Sequence, residues 1–537
     1  MLKDYFPTGY TPRETQELLL SKLETLLTSS DSKKFIVVRA PTGSGKSALC
    51  TTISNYFSSL GGKSYLLCSR KFLQEQYMGD FYETYSNFWG KANYTCPLIS
   101  ASCSGCLADN TTTSKGYMLF LRNNCTIQKV GDKCPYIRAR KLASKADCSL
   151  LNIEAFLANS LQKLWSPREV LMIDEAHCLI DRAVSFFTVP LNDSWGTIPR
   201  VFKGRALSPK RYKTPCSVGK DYIAQLLGEY KVKEAELTKE GLSIPKGLKY
   251  AINYLSIQNM EWVLDLEKRE LIPLKVMPLL EETLFKYGDK VILFSATLSP
   301  NACKELGLTA KNSTFIEVES TFPIENHEIN YIPTIGKLNK TTMQTKIDAI
   351  GRAILKARLE NEDKRGIVHT VSYKNVEMIK STLELIATGF EDLYTLDDLG
   401  FIFHTKDKKL EDLISQYSKN PGSVLVTPSL SEGFDGIGDL LEWQVLVKCP
   451  FPYLGNPRIK ALMESDFGKI LFRERAIAAI LQTLGRGIRT EEDTCTTYVL
   501  DRNICDLLGK CSRKSSKHYT STSGTVKRLW KARTTGW

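Results

Sequence analysis

Eight short apolar runs, each closed by turn residues and followed by helical periodicity, constrain this chain more than any other feature. In the first half they are Phe35-Ile36-Val37-Val38, Tyr65-Leu66-Leu67-Cys68, Val170-Leu171-Met172-Ile173 and Val291-Ile292-Leu293-Phe294. The second half repeats the theme with Gly366-Ile367-Val368-His369, Val424-Leu425-Val426-Thr427, Val445-Leu446-Val447 and Tyr498-Val499-Leu500. A half-exposed strand alternates apolar and polar residues. These runs do not, so they read as strands buried on both faces and joined by helical crossovers. The pattern predicts an α/β chain with two parallel-sheet lobes and a seam near Phe322-Pro323.

Two stretches of the first half break the pattern. Residues from Tyr94 to Cys148 hold six cysteines (Cys96, Cys103, Cys106, Cys125, Cys134 and Cys148) and little periodicity. Residues from Val184 to Met260 are mixed and charged, with a helical stretch from Tyr230 to Lys239. Both read as insertions into the first lobe. Trp262-Val263-Leu264-Asp265 and Leu271-Ile272-Pro273-Leu274 are expected to be strands returning to it.

The first strand runs into Ala40-Pro41-Thr42-Gly43-Ser44-Gly45-Lys46-Ser47. This is a phosphate-binding loop of the Walker A kind, with Ala40 where the first glycine usually stands. Glycines let backbone N–H groups curl around phosphate, and the next helix presents its positive end. Lys46 is expected to reach the β- and γ-phosphates of ATP, and Ser47 to ligate Mg²⁺. Asp174-Glu175-Ala176-His177 follows the strand ending at Ile173. There Asp174 would hold Mg²⁺, and Glu175 would orient or deprotonate the attacking water. Late in the second half, Leu481-Gln482-Thr483-Leu484-Gly485-Arg486-Gly487-Ile488-Arg489 sets two arginines three apart, which would share one helix face. Gln482, Arg486 and Arg489 are candidates to stabilise charge on the transferring phosphate. The glycines flanking Arg486 argue against a plain solvated helix there.

The order of these motifs resembles superfamily 2 helicases of the DEAH type, and more closely the XPD/DinG-like family. Ser295-Ala296-Thr297-Leu298 is similar to motif III, and Ser431-Glu432-Gly433-Phe434-Asp435-Gly436 to motif V. Tyr10, Arg13 and Gln16 resemble the Y-x-x-R-x-x-Q element near the adenine, and Leu73 and Gln76 sit where motif Ia would lie. The resemblance spans about Phe6 to Arg502. It implies two RecA-like lobes with ATP in the cleft between them and single-stranded nucleic acid across both. It adds Glu432, Gly433 and Asp435 to the nucleotide-binding set of Tyr10, Arg13, Gln16, Thr42, Gly43, Ser44, Gly45, Lys46 and Ser47. It implies an ATP-dependent DNA helicase moving 5′ to 3′ on single-stranded and forked DNA, in repair or replication, acting as a monomer. An RNA helicase and a nucleic-acid-binding ATPase switch that does not unwind are the alternatives.

Clustered thiolates in the first insertion suit either an iron–sulfur cluster or zinc, and spacing alone does not choose. The resemblance favours a [4Fe-4S] cluster, since the family carries one at this place with its last ligand followed by Pro-Tyr, as in Cys134-Pro135-Tyr136. It assigns Cys96, Cys103, Cys106 and Cys134 as ligands. Cys125 is left aside, and Cys148 is assigned to the following helix. The second insertion stands where the family has its Arch domain, in reduced form.

The expected division is therefore 1–90, 151–183 and 261–322 for the first lobe, 91–150 for the iron–sulfur insertion and 184–260 for the Arch-like insertion. The second lobe takes 323–508, and 509–537 forms a basic tail. The formal charge is +13, and from Gly509 to Trp537 there are eight Lys or Arg and no Asp or Glu. Such a balance suits a polyanionic partner or simply solubilises the chain. The N-terminal residues lack a basic stretch followed by an apolar one, and no run is long and apolar enough to span a bilayer. The expectation is a protein without a membrane partner that is not secreted: cytoplasmic in a bacterial or phage-infected cell, or nuclear.

Overall fold

A computed structural model of the chain describes residues 1–29, 31–41, 43–96, 102, 134–196, 201–202, 205–206, 216–265, 267–319, 323, 326–387, 395–428, 441–488, 492–513 and 533–534. The expected α/β architecture is present. The chain divides into two compact units. The first comprises residues 1–38, 45–316 and 453–469, the second residues 39–44, 317–452 and 470–537.

The strands of the first half are β1 (Phe35–Arg39), β2 (Ser64–Cys68), β3 (Ser86–Phe88), β4 (Cys148–Asn152), β5 (Arg168–Ile173), β6 (Val189–Pro190), β7 (Val201–Phe202), β8 (Arg205–Ala206) and β9 (Cys216–Val218). They continue with β10 (Trp262–Asp265), β11 (Glu270–Pro273), β12 (Gly288–Ser295) and β13 (Ser313–Glu317). A seven-stranded sheet has the order β13-β1-β12-β5-β2-β4-β3. The pairs β12–β5, β5–β2, β2–β4 and β4–β3 are parallel. Their central residues are buried without alternation, because helices cover both faces. One face contributes Val37, Leu67, Leu171, Ile173 and Leu293 to a continuous core.

Two readings of the sequence are corrected here. Cys148 begins strand β4, which pairs with β2 in the main sheet, and is not helical. The strands β10 and β11 do not rejoin the parallel sheet. They form an antiparallel sheet of order β6-β11-β10-β9, while β7 and β8 make a separate two-stranded ribbon. The apolar inner positions Trp262, Leu264 and Leu271 join the main core beside Tyr222 and Tyr230 of the helix Lys220–Lys239. A short apolar run fits either kind of sheet, and pairing partners decide.

The second unit holds β14 (His327–Tyr331), β15 (Gly366–His369), β16 (Phe401–Phe403), β17 (Val424–Thr427), β18 (Trp443–Leu446), β19 (Cys495–Val499) and β20 (Arg533–Thr534). They form one parallel sheet, β16-β17-β15-β18-β19-β14-β20. Val368, Val426 and Val445 pack on one face, Ile367 and Leu425 on the other. The residues between β18 and β19 split. The helix Pro457–Leu462 belongs to the first unit, where Arg458 donates to the Pro273 and Leu274 carbonyls and pairs with Glu305 at 2.5 Å. Both side chains are at most 5% exposed, so neither charge could be buried there alone. Among the described residues, no helix is long and apolar enough to cross a membrane.

Candidate nucleotide site

The phosphate loop leaves β1 at Ala40. Ser44 turns back, its N–H and hydroxyl both donating to the Pro41 carbonyl at 3.3 and 2.7 Å. Gly43 and Gly45 have φ of +76° and +73°, where a side chain is strained, and Gly45 caps the helix Lys46–Ser59. A Cβ on Gly45 would also collide with Gln16 Nε2. Thr42 lies outside the described residues.

Gln16 is buried in the helix Glu14–Thr28. Its Oε1 accepts the Arg13 N–H at 2.8 Å, and its Nε2 donates to the Gly45 carbonyl at 3.5 Å. Tyr10 is half exposed, its ring 5.8 Å from Phe81. The N-terminal element predicted to serve the base is thereby joined to the loop predicted to serve the phosphates.

Lys46 opens its helix and is 8% exposed, with Nζ 3.9 Å from Glu175 Oε1. Asp174 closes the chain segment after β5 and is 3% exposed. Its Oδ2 accepts the Tyr77 hydroxyl at 2.9 Å, and its Oδ1 accepts the Glu175 N–H at 2.9 Å. Burial, and then the neighbouring Glu175 charge, push the Asp174 carboxyl up to about 6, although Lys46 and Tyr77 pull it down. Two adjacent carboxylates that one lysine only partly offsets make a donor set suited to a divalent cation. Glu175 itself has a left-handed backbone, φ 50° and ψ 46°, uncommon for a non-glycine residue and typical of functional turns.

Glu175 Oε2 lies 3.1 Å from His177 Nδ1, which also lies 3.2 Å from Ser295 Oγ. Ser295 ends β12, is fully buried, and accepts the N–H groups of Thr297 and Leu298. Burial lowers the His177 pKa, but Cys178 and Glu175 outweigh it and raise it to about 10. A chain of contacts therefore runs from Lys46 through Glu175 and His177 to the Ser-Ala-Thr turn. Sequence reasoning missed Tyr77 in this set. No spacing signals it, because a tyrosine in a helix after β2 is most often core.

In the second unit, Gln482 occupies the last turn of the helix Asp466–Leu484. That helix stops before Arg486, so Arg486 lies on a turn and not on the helical face expected for it. Glycines at 485 and 487 end the helix instead, and a Cβ on Gly487 would collide with Cys495 Sγ. Arg489, Glu432, Gly433 and Asp435 lie outside the described residues, as do Cys103, Cys106 and Cys125.

Comparison with known proteins follows this division. The family described as Helicase C-terminal domain matches residues 355–514, and the family described as Type III restriction enzyme, res subunit, matches residues 9–206. The ATP-dependent DNA helicase DinG of Photobacterium profundum is 28% identical over 257 residues, 43% of this chain. That match spans only 34% of the DinG protein, about a third of its length. Among solved structures, an XPD helicase aligns over 98% of this chain and 99% of its own, with a TM-score of 0.59 and 18% identity. S. tokodaii Xpd4 aligns over 92% and 97%, with a TM-score of 0.56 and 14% identity. The chain thus shares the fold of XPD helicase structures, and part of its sequence is similar to a DinG helicase.

A groove of about 580 Å³ opens beside β2, β3 and β4. Ser69, Arg70 and Lys71 line it after β2, Lys91 after β3, and Asn152 after β4. Arg182 also lines it and pairs with Glu154 at 3.1 Å. Ligand sites of parallel sheets lie beyond the carboxyl ends of the strands. The sequence reading placed motif Ia nearby but named none of these cations.

Of the expected cluster ligands, Cys96 and Cys134 are described and partly exposed. Cys134 caps the helix Pro135–Lys145, with Pro135 at its first turn. The rings of Tyr94 and Tyr136, each two residues outside its cysteine, meet at 5.6 Å and pack on Phe88. The two ends of the insertion therefore come together, as a shared set of ligands requires. Cys148 is buried in β4, donates to the Ser54 carbonyl at 3.4 Å and has its pKa raised by burial. A thiol so placed does not fit a ligand.

Proposed function

We propose that this chain is an ATP-dependent DNA helicase that tracks 5′ to 3′ on single-stranded DNA and unwinds forked duplexes. The observation that carries the reading is the convergence of Lys46, Asp174, Glu175 and His177 beside a phosphate loop, with His177 in turn touching Ser295. In this reading Lys46 holds the β- and γ-phosphates, while Asp174 and Ser47 hold Mg²⁺. Glu175 orients and deprotonates the water that attacks the γ-phosphorus, and ADP leaves. Gln482, Arg486 and Arg489 bind the γ-phosphate when the second lobe closes, joined by Glu432, Gly433 and Asp435. Loss of that phosphate weakens the closed state, and the strand is released by one lobe at a time. The link from Glu175 through His177 to Ser295 gives the nucleotide site a route to the rest of its lobe.

Arg70, Lys71, Lys91 and Arg182 supply a sequence-independent grip on phosphates. Cys96, Cys103, Cys106 and Cys134 would hold the [4Fe-4S] cluster, which organises the insertion near the point of strand separation. Repair or replication is the proposed setting, with the protein acting as a monomer.

Strand displacement tests the whole reading. Anaerobically purified protein is given Mg-ATP and a DNA duplex bearing a 5′ or a 3′ single-stranded tail. Unwinding from the 5′ tail alone is expected. Unwinding from the 3′ tail alone sinks the polarity. Vigorous DNA-stimulated ATPase with no unwinding points to a switch instead.

A further inference from the structure

The phosphate loop starts directly after β1, so whatever fixes Arg39 fixes the loop's first residue. Arg39 ends β1 and Glu317 ends β13, its neighbour in the sheet. Arg39 Nη2 lies 2.5 Å from Glu317 Oε1, with the side chains 11% and 24% exposed. The Arg39 carbonyl also accepts the Val318 N–H at 3.0 Å. Main chain and side chain thus clamp the same residue to the same neighbour. Two residues on, the Pro41 carbonyl takes both bonds from Ser44. That closure makes the start of the loop a unit, so a shift at Arg39 passes through Ala40 and Pro41 to Ser44. Peptide planarity and fixed Cα spacing leave little slack over so few residues.

We propose that the Arg39–Glu317 pair is a positioning device for nucleotide binding, setting where the loop's N–H groups meet the β- and γ-phosphates. Both residues would act through the loop's main chain, as positioning residues. The inference rests on the reading of residues 40–47 as an ATP site. An ion pair this close to solvent adds little to folding, and its value lies in the geometry it fixes. A mere strand-edge bridge would shift melting and leave nucleotide affinity alone.

The test uses the full chain with oligonucleotide-stimulated ATPase, reading KM for Mg-ATP and kcat separately, beside thermal melting. The variants are Arg39→Glu, Glu317→Arg, the charge-swapped double and the shape-preserving Glu317→Gln. Each single change is expected to raise KM about tenfold with kcat within about threefold. The swapped double is expected to return KM to within about threefold of the parent, as coupled pairs do. An unchanged KM in Glu317→Gln overturns the proposal, and so does a folded double no better than its singles. Lys46→Ala separates the two layers. If the parent turns over ATP no faster than this variant, the ATP-site reading itself fails and takes the proposal with it.

Discussion

Tyr77→Phe isolates a single bond at the centre of the site. Tyr77 is 1% exposed, and its hydroxyl donates to Asp174 Oδ2 at 2.9 Å. Phenylalanine keeps the ring against Phe81 and Tyr85, so no cavity opens. A hydrogen bond to a charged acceptor contributes about 1.5–3 kcal/mol. At about 1.4 kcal/mol per pH unit, losing it moves the carboxyl upward by about one to two pH units. Asp174 already sits at about 6, raised by burial and then by Glu175. Near pH 7 the parent pair is about one-tenth protonated, and the variant would be half protonated or more. Only the ionised carboxylate can hold Mg²⁺. The assay is kcat/KM for Mg-ATP from pH 5.5 to 9 at fixed free magnesium, which reports the free enzyme. The acid limb is expected to move up by about one to two pH units, with a loss of about two- to tenfold at pH 7 that vanishes near pH 9. A uniform loss across the whole range would refute the reasoning, because Tyr77 would then act by packing and not through the Asp174 charge.

Two further predictions concern stability and the cysteines. His327 in β14 is buried, its Nε2 3.0 Å from Thr497 Oγ1, and burial lowers its pKa from 6.5 to about 4. The unfolded chain therefore binds the proton first. This contribution is fully present above pH 6.5 and is lost as pH falls toward 4, at most about 3 kcal/mol at 1.36 kcal/mol per pH unit. Protection factors in β14 and β19, that is exchange rates corrected for the intrinsic pH dependence of amide exchange, should fall over that window in the parent, and a His327→Gln variant should lack that fall. Cys134→Ser should lose iron and the visible absorption of a cluster. Iron staying stoichiometric would remove Cys134 from the ligand set and turn attention to Cys125.

The sequence was most legible where burial leaves one solution. Runs such as Val424–Thr427 and Val170–Ile173 are apolar on both faces, and only a covered parallel sheet satisfies that. Trp262–Asp265 is as apolar, yet it pairs antiparallel with β9 and β11, because strand direction is a property of partners far away in the chain. Cys148 shows the same limit from the other side. Its run Cys148-Ser149-Leu150-Leu151-Asn152 carries two polar residues, but Ser149 is fully buried, its hydroxyl donating to the Ala143 carbonyl and accepting from Arg168. A polar side chain satisfied inside the fold reads as a surface residue until its partners are known.

The site divides along the same line. Gly45, Lys46, Asp174 and Glu175 were legible because the chemistry of phosphate fixes residue type and spacing within one turn of chain. What escaped were contacts made between distant segments: Tyr77 to Asp174, Ser295 to His177, Glu317 to Arg39. Each is a single side-chain contact across roughly a hundred positions or more. Spacing within the chain carries no trace of such contacts. The error over Arg486 has a different origin. Two arginines three apart suggest a shared helical face only while the helix continues, and Gly485 and Gly487 beside Arg486 favour an end to it. The same glycines first taken as a sign that Arg486 is no ordinary solvated residue are the reason it lies on a turn. An arginine on a turn can be aimed independently of the helix it follows, which is compatible with the phosphate-binding role proposed for Arg486.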